Sequence, residues 1–230
     1  MEFMKTGSER AERDDSRYGA VLLRFNRNCL ALMFFLAGLF APAAYAGPIR
    51  VMAFGDSLFA GYGVADADNF PTQLEKALRA DGKDVRLINA SVSGDTTADG
   101  LARLNWSLAD KPDLVLLELG GNDALRGLDP DQAKSNLDKI LGALKSARIP
   151  VLICGMLAPR NLGPAYAQKF DPLFQELADK YHAPLYPFIL DGVALDPKLT
   201  QPDGIHPNPQ GVLVMVKKIL PFVEKALPGG

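Results

Sequence analysis

Histidine is scarce in this 230-residue chain, and so are cysteine and tryptophan: there are two histidines, two cysteines and one tryptophan. No histidine cluster and no Cys-x-x-Cys pair occurs, which removes the usual ligand patterns of a catalytic zinc, and no metal is expected. No Gly-x-Gly-x-x-Gly follows a strand pattern, so the phosphate cradle of a dinucleotide fold is missing. The formal net charge is only -2, which supplies no basic field to hold nucleic acid or an anionic membrane. Heptads, low-complexity tracts and repeats at solenoid periods are absent too. What is left is an ordinary globular composition, 48% hydrophobic, 23% charged and 8% aromatic, sufficient for one domain with a proper core.

The N-terminus has a plan of its own. Residues 1–28 are polar and mixed in charge, and Arg24 and Arg27 precede an apolar run from Cys29 to Phe40. A small-x-small ending follows at Ala44-Tyr45-Ala46. This is the pattern of a secretory signal peptide, with cleavage expected after Ala46. The run is shorter than the ~18–20 residues a membrane span needs, so no stable span is expected after cleavage. Glu9, Asp14 and Asp15 are unusual in a leader, and Met4 offers a second start, so the first 28 residues also read as an over-extended start. The expected organisation is therefore a leader over 1–46 and a single domain over 47–230, periplasmic or secreted. That domain keeps one cysteine, Cys154, at the end of the apolar run Val151–Cys154, where a buried inert thiol is expected.

From residue 47 onward, strand and helix patterns alternate to the end. The candidate strands are Arg50–Phe54, Val85–Asn89, Leu114–Leu119, Val151–Cys154 and Leu185–Phe188, short apolar runs of the kind covered on both faces. Helix patterns lie between them. Pro71 opens one that stops at Gly82, Asp95 or Thr96 caps a second, and Pro130 opens a third. A fourth spans Ala165–Tyr181 and the last runs from Pro209 to Ala226, while Trp106 reads as a helix residue packing on the sheet. Regular βαβ alternation predicts a three-layer α/β/α domain with a five-stranded parallel sheet, in the flavodoxin-like order 2-1-3-4-5.

In such a sheet, chemistry gathers beyond the carboxyl ends of the strands. The segments found there are Gly55-Asp56-Ser57-Leu58, then Ser91-Val-Ser-Gly94-Asp95, then Gly120-Gly-Asn122-Asp123. After the fifth strand comes a long helix-free stretch, Ile189 to Pro207, that contains Asp203-Gly-Ile-His206. Irregular connections of that length are usually functional. Gly55-Asp-Ser57-Leu, Gly94, Gly121-Asn-Asp123 and Asp203-x-x-His206 resemble the four blocks of the SGNH (GDSL) hydrolases, in order and at similar spacing. The likeness extends over the whole domain and is strongest to the secreted bacterial thioesterases, lysophospholipases and arylesterases of that family. It implies a cofactor-free serine hydrolase.

The residues agree with that implication. A serine hydroxyl needs a base within hydrogen-bonding reach, and only His182 and His206 are on offer. His182 falls at the end of a helix, where a solvated histidine is common. His206 follows the long loop, and Asp203 precedes it by three residues, so one turn brings carboxylate to imidazole. Taken alone, that pair also reads as a capping aspartate beside a surface histidine; the other three blocks decide for Ser57, Asp203 and His206 as a triad. The loop has room to reach: about three strand spacings, or ~14 Å, separate the sheet edge from Ser57. The resemblance assigns the oxyanion hole to the N–H groups of Ser57 and Gly94 and the side-chain amide of Asn122. Asp56 and Asp123 are expected to hold turns or cap amides.

The substrate is expected to be a small acyl ester or thioester. Leu125 and Leu128 in the turn 124–129, with Met156, Leu157 and Leu162 in the turn 156–164, are the candidate walls of an open acyl groove. Such a groove favours short to medium chains, on aryl esters, acyl thioesters or lysophospholipids. A carbohydrate O-deacetylase on the same scaffold and a non-catalytic exported binding domain are the competing readings.

Overall fold

The computed structural model describes residues 47–229; the expected leader lies outside the described residues. Five parallel strands form one sheet: β1 (Ile49–Gly55), β2 (Val85–Asn89), β3 (Leu114–Glu118), β4 (Val151–Cys154) and β5 (Leu185–Tyr186). Their order is β2-β1-β3-β4-β5, as the alternation of patterns predicts. β3 sits in the middle and is buried along its whole length, whereas β2, at the edge, is half-exposed.

The helices are α1 (Ser57–Ala60), α2 (Phe70–Ala80), α3 (Thr97–Ser107), α4 (Gly121–Leu125), α5 (Pro130–Ser146), α6 (Pro164–Phe170), α7 (Leu173–Tyr181) and α8 (Pro209–Ala226). α2 packs on α8, while α3 packs on α5 and α5 on α7. With right-handed crossovers these two groups cover opposite faces of the sheet. Their starts are chemical. Asn69 accepts the Thr72 N–H, Thr96 and Asp99 form a capping box, and Asn208 accepts the Gly211 N–H.

Three expectations give way to local physics. The fourth helix is two helices, because Pro172 has no N–H to continue the ladder. β5 stops at Tyr186 because Pro187 cannot donate to the sheet. Trp106 does not pack on the sheet. The buried face of α3 is Thr97, Gly100, Leu104 and Ser107, so Trp106 points outward and is 80% exposed.

One hydrophobic core fills the space between sheet and helices, built on Phe54, Phe59, Phe70, Leu116, Phe170 and Ile140 among others. Each such side chain contributes about 1.5–3 kcal/mol relative to an exposed one, so no disulfide is needed. Cys154 is buried in this core, and desolvation pushes its thiol well above the ordinary range, away from the reactive thiolate. No helix among the described residues is long and apolar enough to cross a membrane.

Candidate active site

The first strand delivers the central residue. β1 ends at Gly55, Asp56 caps α1 by accepting the Leu58 N–H at 3.0 Å, and Ser57 opens that short helix just beyond the sheet. Ser57 Oγ lies 2.8 Å from Nε2 of His206. His206 Nδ1 lies 2.7 Å from Oδ2 of Asp203. The other Asp203 oxygen accepts the N–H groups of Ile205 and His206, at 2.9 and 3.0 Å. The three residues thus form one unbroken chain of contacts.

The loop that carries His206 is laced from within and without. Gln201 N–H donates to the His206 carbonyl at 2.8 Å, and its side-chain amide donates to the carbonyls of Tyr62 and Pro207. Asn208 donates to the carbonyls of Lys198 and Thr200. The Tyr62 ring lies against the His206 ring, with centroids 4.5 Å apart. Asp203 is held down at about 2, first by the His206 hydrogen bond and further by the two backbone N–H groups. It is therefore ionised throughout the neutral range.

Around Ser57 the ends of β2 and β3 converge. Gly94 has φ +89°, a conformation that costs a side-chain residue but not glycine. Among the described residues, neither the Ser57 N–H nor the Gly94 N–H is taken by another group. Asn122 stands in α4 with its side-chain amide donating to Asp56 Oδ2 at 3.0 Å and to the Asp95 carbonyl at 3.1 Å. Asp123 accepts both the N–H and the hydroxyl of Thr97, at 2.8 and 2.6 Å, and so ties the β3 turn to the start of α3. Arg103 braces the same region. It pairs with Asp95, donates to the carbonyls of Ala90 and Gly55, and stacks over the Phe54 ring at 4.2 Å.

An apolar groove of about 490 Å³ opens beside Ser57 and His206. Of the wall residues expected from sequence, Leu125, Met156 and Leu157 line it. Leu128 and Leu162 do not: the lining takes Leu125 alone from the turn 124–129 and ends at Asn161 in the turn 156–164. The opposite wall comes from the loop that carries His206 and its approach: Phe188, Leu190, Ala194, Leu195 and Ile205. Sequence reasoning misses this wall, since an irregular segment carries no periodicity to show which side chains face inward. It also passes over Glu118, whose signal was there to see: a carboxylate in an otherwise apolar strand. His182 lies apart from the site, in left-handed conformation at the end of α7, and is exposed.

Residues 53–213 match the model of the GDSL-like lipase/acylhydrolase family. The chain belongs to that family. Among its relatives, esterase TesA of Pseudomonas aeruginosa is 41% identical over 200 residues, covering 86% of this chain and 96% of the relative. Thioesterase 1/protease 1/lysophospholipase L1 of Escherichia coli K12 is 39% identical over 175 residues, covering 76% and 82%. The crystal structure of AlinE4, an SGNH-hydrolase family esterase, superposes with a TM-score of 0.67 at 49% identity, over 80% of this chain and 99% of the other. This GDSL hydrolase is an esterase/thioesterase, and small-molecule esters are its substrates.

Proposed function

We propose that Ser57 is the nucleophile of this hydrolase, His206 its general base and Asp203 the group that orients the base. The observation that carries the reading is the continuous contact chain Ser57–His206–Asp203, 2.8 and 2.7 Å long in its two links, at the head of an apolar groove. Ser57 Oγ attacks the acyl carbonyl carbon while His206 Nε2 takes the hydroxyl proton. The anionic Asp203 holds Nδ1–H and stabilises the imidazolium. Collapse of the tetrahedral intermediate expels the alkoxide or thiolate, which receives the proton from Nε2. Water then repeats the sequence on the acyl-enzyme and releases the carboxylic acid.

The oxyanion is received by the N–H groups of Ser57 and Gly94 and by the Asn122 amide. Both hydrogens of that amide are engaged in the structure, so the oxyanion takes over the one resting on the Asp95 carbonyl while Asp56 keeps the other. Leu125, Met156 and Leu157 bind the acyl chain, facing the apolar wall of the triad loop. The groove's size supports short- to medium-chain acyl groups, on aryl esters, acyl thioesters and lysophospholipids. We also infer export to the periplasm or medium, with residues 1–46 removed; an N-terminus other than Gly47 in the exported protein would count against that cleavage site. A panel of p-nitrophenyl esters from C2 to C16, run beside acyl-coenzyme A thioesters, tests the substrate range. Activity confined to C16 would contradict it.

A further inference from the structure

Beside Asp56, at the end of the central strand, a second carboxyl group is sealed inside the protein. Glu118, the last residue of β3, is 0% exposed, and its register partner on β1 is Gly55. Its Oε2 accepts the Asp56 N–H at 3.1 Å, and among the described residues its Oε1 has no partner. Two glycines make room for the carboxyl pair. A Cβ at Gly55 would stand 2.6 Å from Glu118 Oε2, and one at Gly121 would stand 3.2 Å from Asp56 Oδ2. Both distances are shorter than ordinary contact, so the main chain is shaped around these two acids.

The pair has a direction. A buried carboxylate with one oxygen unpaired is strongly disfavoured, and protonation removes the cost. Burial, reinforced by the charge of Asp56, holds the Glu118 carboxyl well above the usual carboxylate range. Burial also raises Asp56, but hydrogen bonds from the Leu58 N–H and the Asn122 amide act against that rise. Burial thus acts on both acids, and the bond that ties them together is the Asp56 N–H donating to Glu118 Oε2. Asp56 in turn holds one hydrogen of the Asn122 amide.

We propose that Glu118 is a positioning residue for ester hydrolysis: its Oε2 anchors the Asp56 N–H, and Asp56 so held aims the Asn122 amide at the oxyanion. This rests on the reading of Asn122 as an oxyanion donor. It gives a buried acid in the central strand a part in the chemistry that a core residue would lack. Only the transition state is affected, so kcat changes and KM does not.

The test is a double-mutant cycle between Glu118 and Asn122. Glu118→Met keeps the volume and removes the polar contacts; kcat falls roughly 10–100-fold with KM within about twofold, a smaller loss than deleting an oxyanion donor outright. Glu118→Gln keeps a donor and an acceptor without charge, and restores kcat to within about threefold of the natural protein. Because Glu118 acts through Asn122, Glu118→Met with Asn122→Ala is no slower than Asn122→Ala alone by more than about twofold. Losses that multiply, or a glutamine variant as slow as the methionine one, would overturn the proposal. Glu118→Ala, which introduces no clash, serves if the methionine variant does not fold. Failure of both to fold makes Glu118 a residue of the fold alone and also overturns it. The underlying reading fails separately, if Asn122→Ala leaves kcat intact. A slow Asn122→Ala beside a fast, folded Glu118→Met leaves that reading standing and removes this proposal.

Discussion

The Ser57 hydroxyl lies 2.8 Å from Nε2 of His206, although 149 positions separate the two residues in the chain. β1, next to the edge strand β2, sets Ser57 at the sheet's carboxyl end, and the connection after β5 carries His206 back across β4 and β3 to meet it. The length of that connection is therefore a requirement of the topology.

If the two residues act as a unit, their losses do not multiply. Ser57→Ala and His206→Ala each lower kcat by roughly 10⁴–10⁶-fold, and the double variant is little worse than either. Steady-state kinetics on one p-nitrophenyl ester checks this. Multiplicative losses would separate the two roles.

If Asn122 donates to the oxyanion, Asn122→Ala removes a donor whose partner becomes charged only in the transition state. kcat falls ~10²–10³-fold and KM stays within about twofold. A raised KM at constant kcat would make Asn122 a ground-state binding residue.

Asp203 links the site to acid stability. Its pKa is depressed to about 2 in the folded protein, against ~3.9 in an unfolded chain, so the unfolded state binds its proton first as pH falls. Its stabilising contribution is fully present above pH ~5 and is lost as pH drops toward 2. Asp203→Asn therefore melts at a lower temperature than the natural protein at pH 6, and the gap closes by about pH 2. The group is about a third exposed, so the gap is small. The same substitution lowers kcat without raising KM, because the base loses its orienting charge. A melting gap that widens on acidification would contradict the assignment.

The fold was legible because its strands are short unalternating apolar runs and its helices announce their starts, by Pro71, Pro130 and Pro209 and by a cap at Asp95 or Thr96. That Ser57, His206 and Asp203 come together was legible because so few histidines compete for a place beside a serine. Less could be read of the groove. Leu125, Met156 and Leu157 follow strands β3 and β4 closely, and the strand direction carries them to the site. Leu128 and Leu162 stand farther along their turns, beyond the last residues that line the groove, Leu125 and Asn161. Leu195 and Ile205 belong to an irregular loop whose inward face is set by tertiary hydrogen bonds such as Gln201 to Tyr62, and no local pattern announces those.

Chain-length preference should follow the groove floor. Ala158 is buried and lines the groove beside Met156. Ala158→Val shortens the preferred acyl chain and Met156→Ala lengthens it, with each methylene gained or lost changing kcat/KM by about fourfold, the equivalent of ~0.8 kcal/mol. A C2 to C16 ester series measures both. An optimum that moves in neither variant would show that the acyl chain lies elsewhere.

The central claim is that Ser57 is an activated nucleophile, and a serine-directed organophosphonate tests it most directly. The natural protein is treated with the reagent, digested, and the adduct located by mass spectrometry. One adduct per chain should appear, on Ser57, in step with loss of activity. Ser57→Ala should take up none, and His206→Ala should react far more slowly. A fully active protein that carries no adduct, or an inactivating adduct on any other residue, would contradict the account.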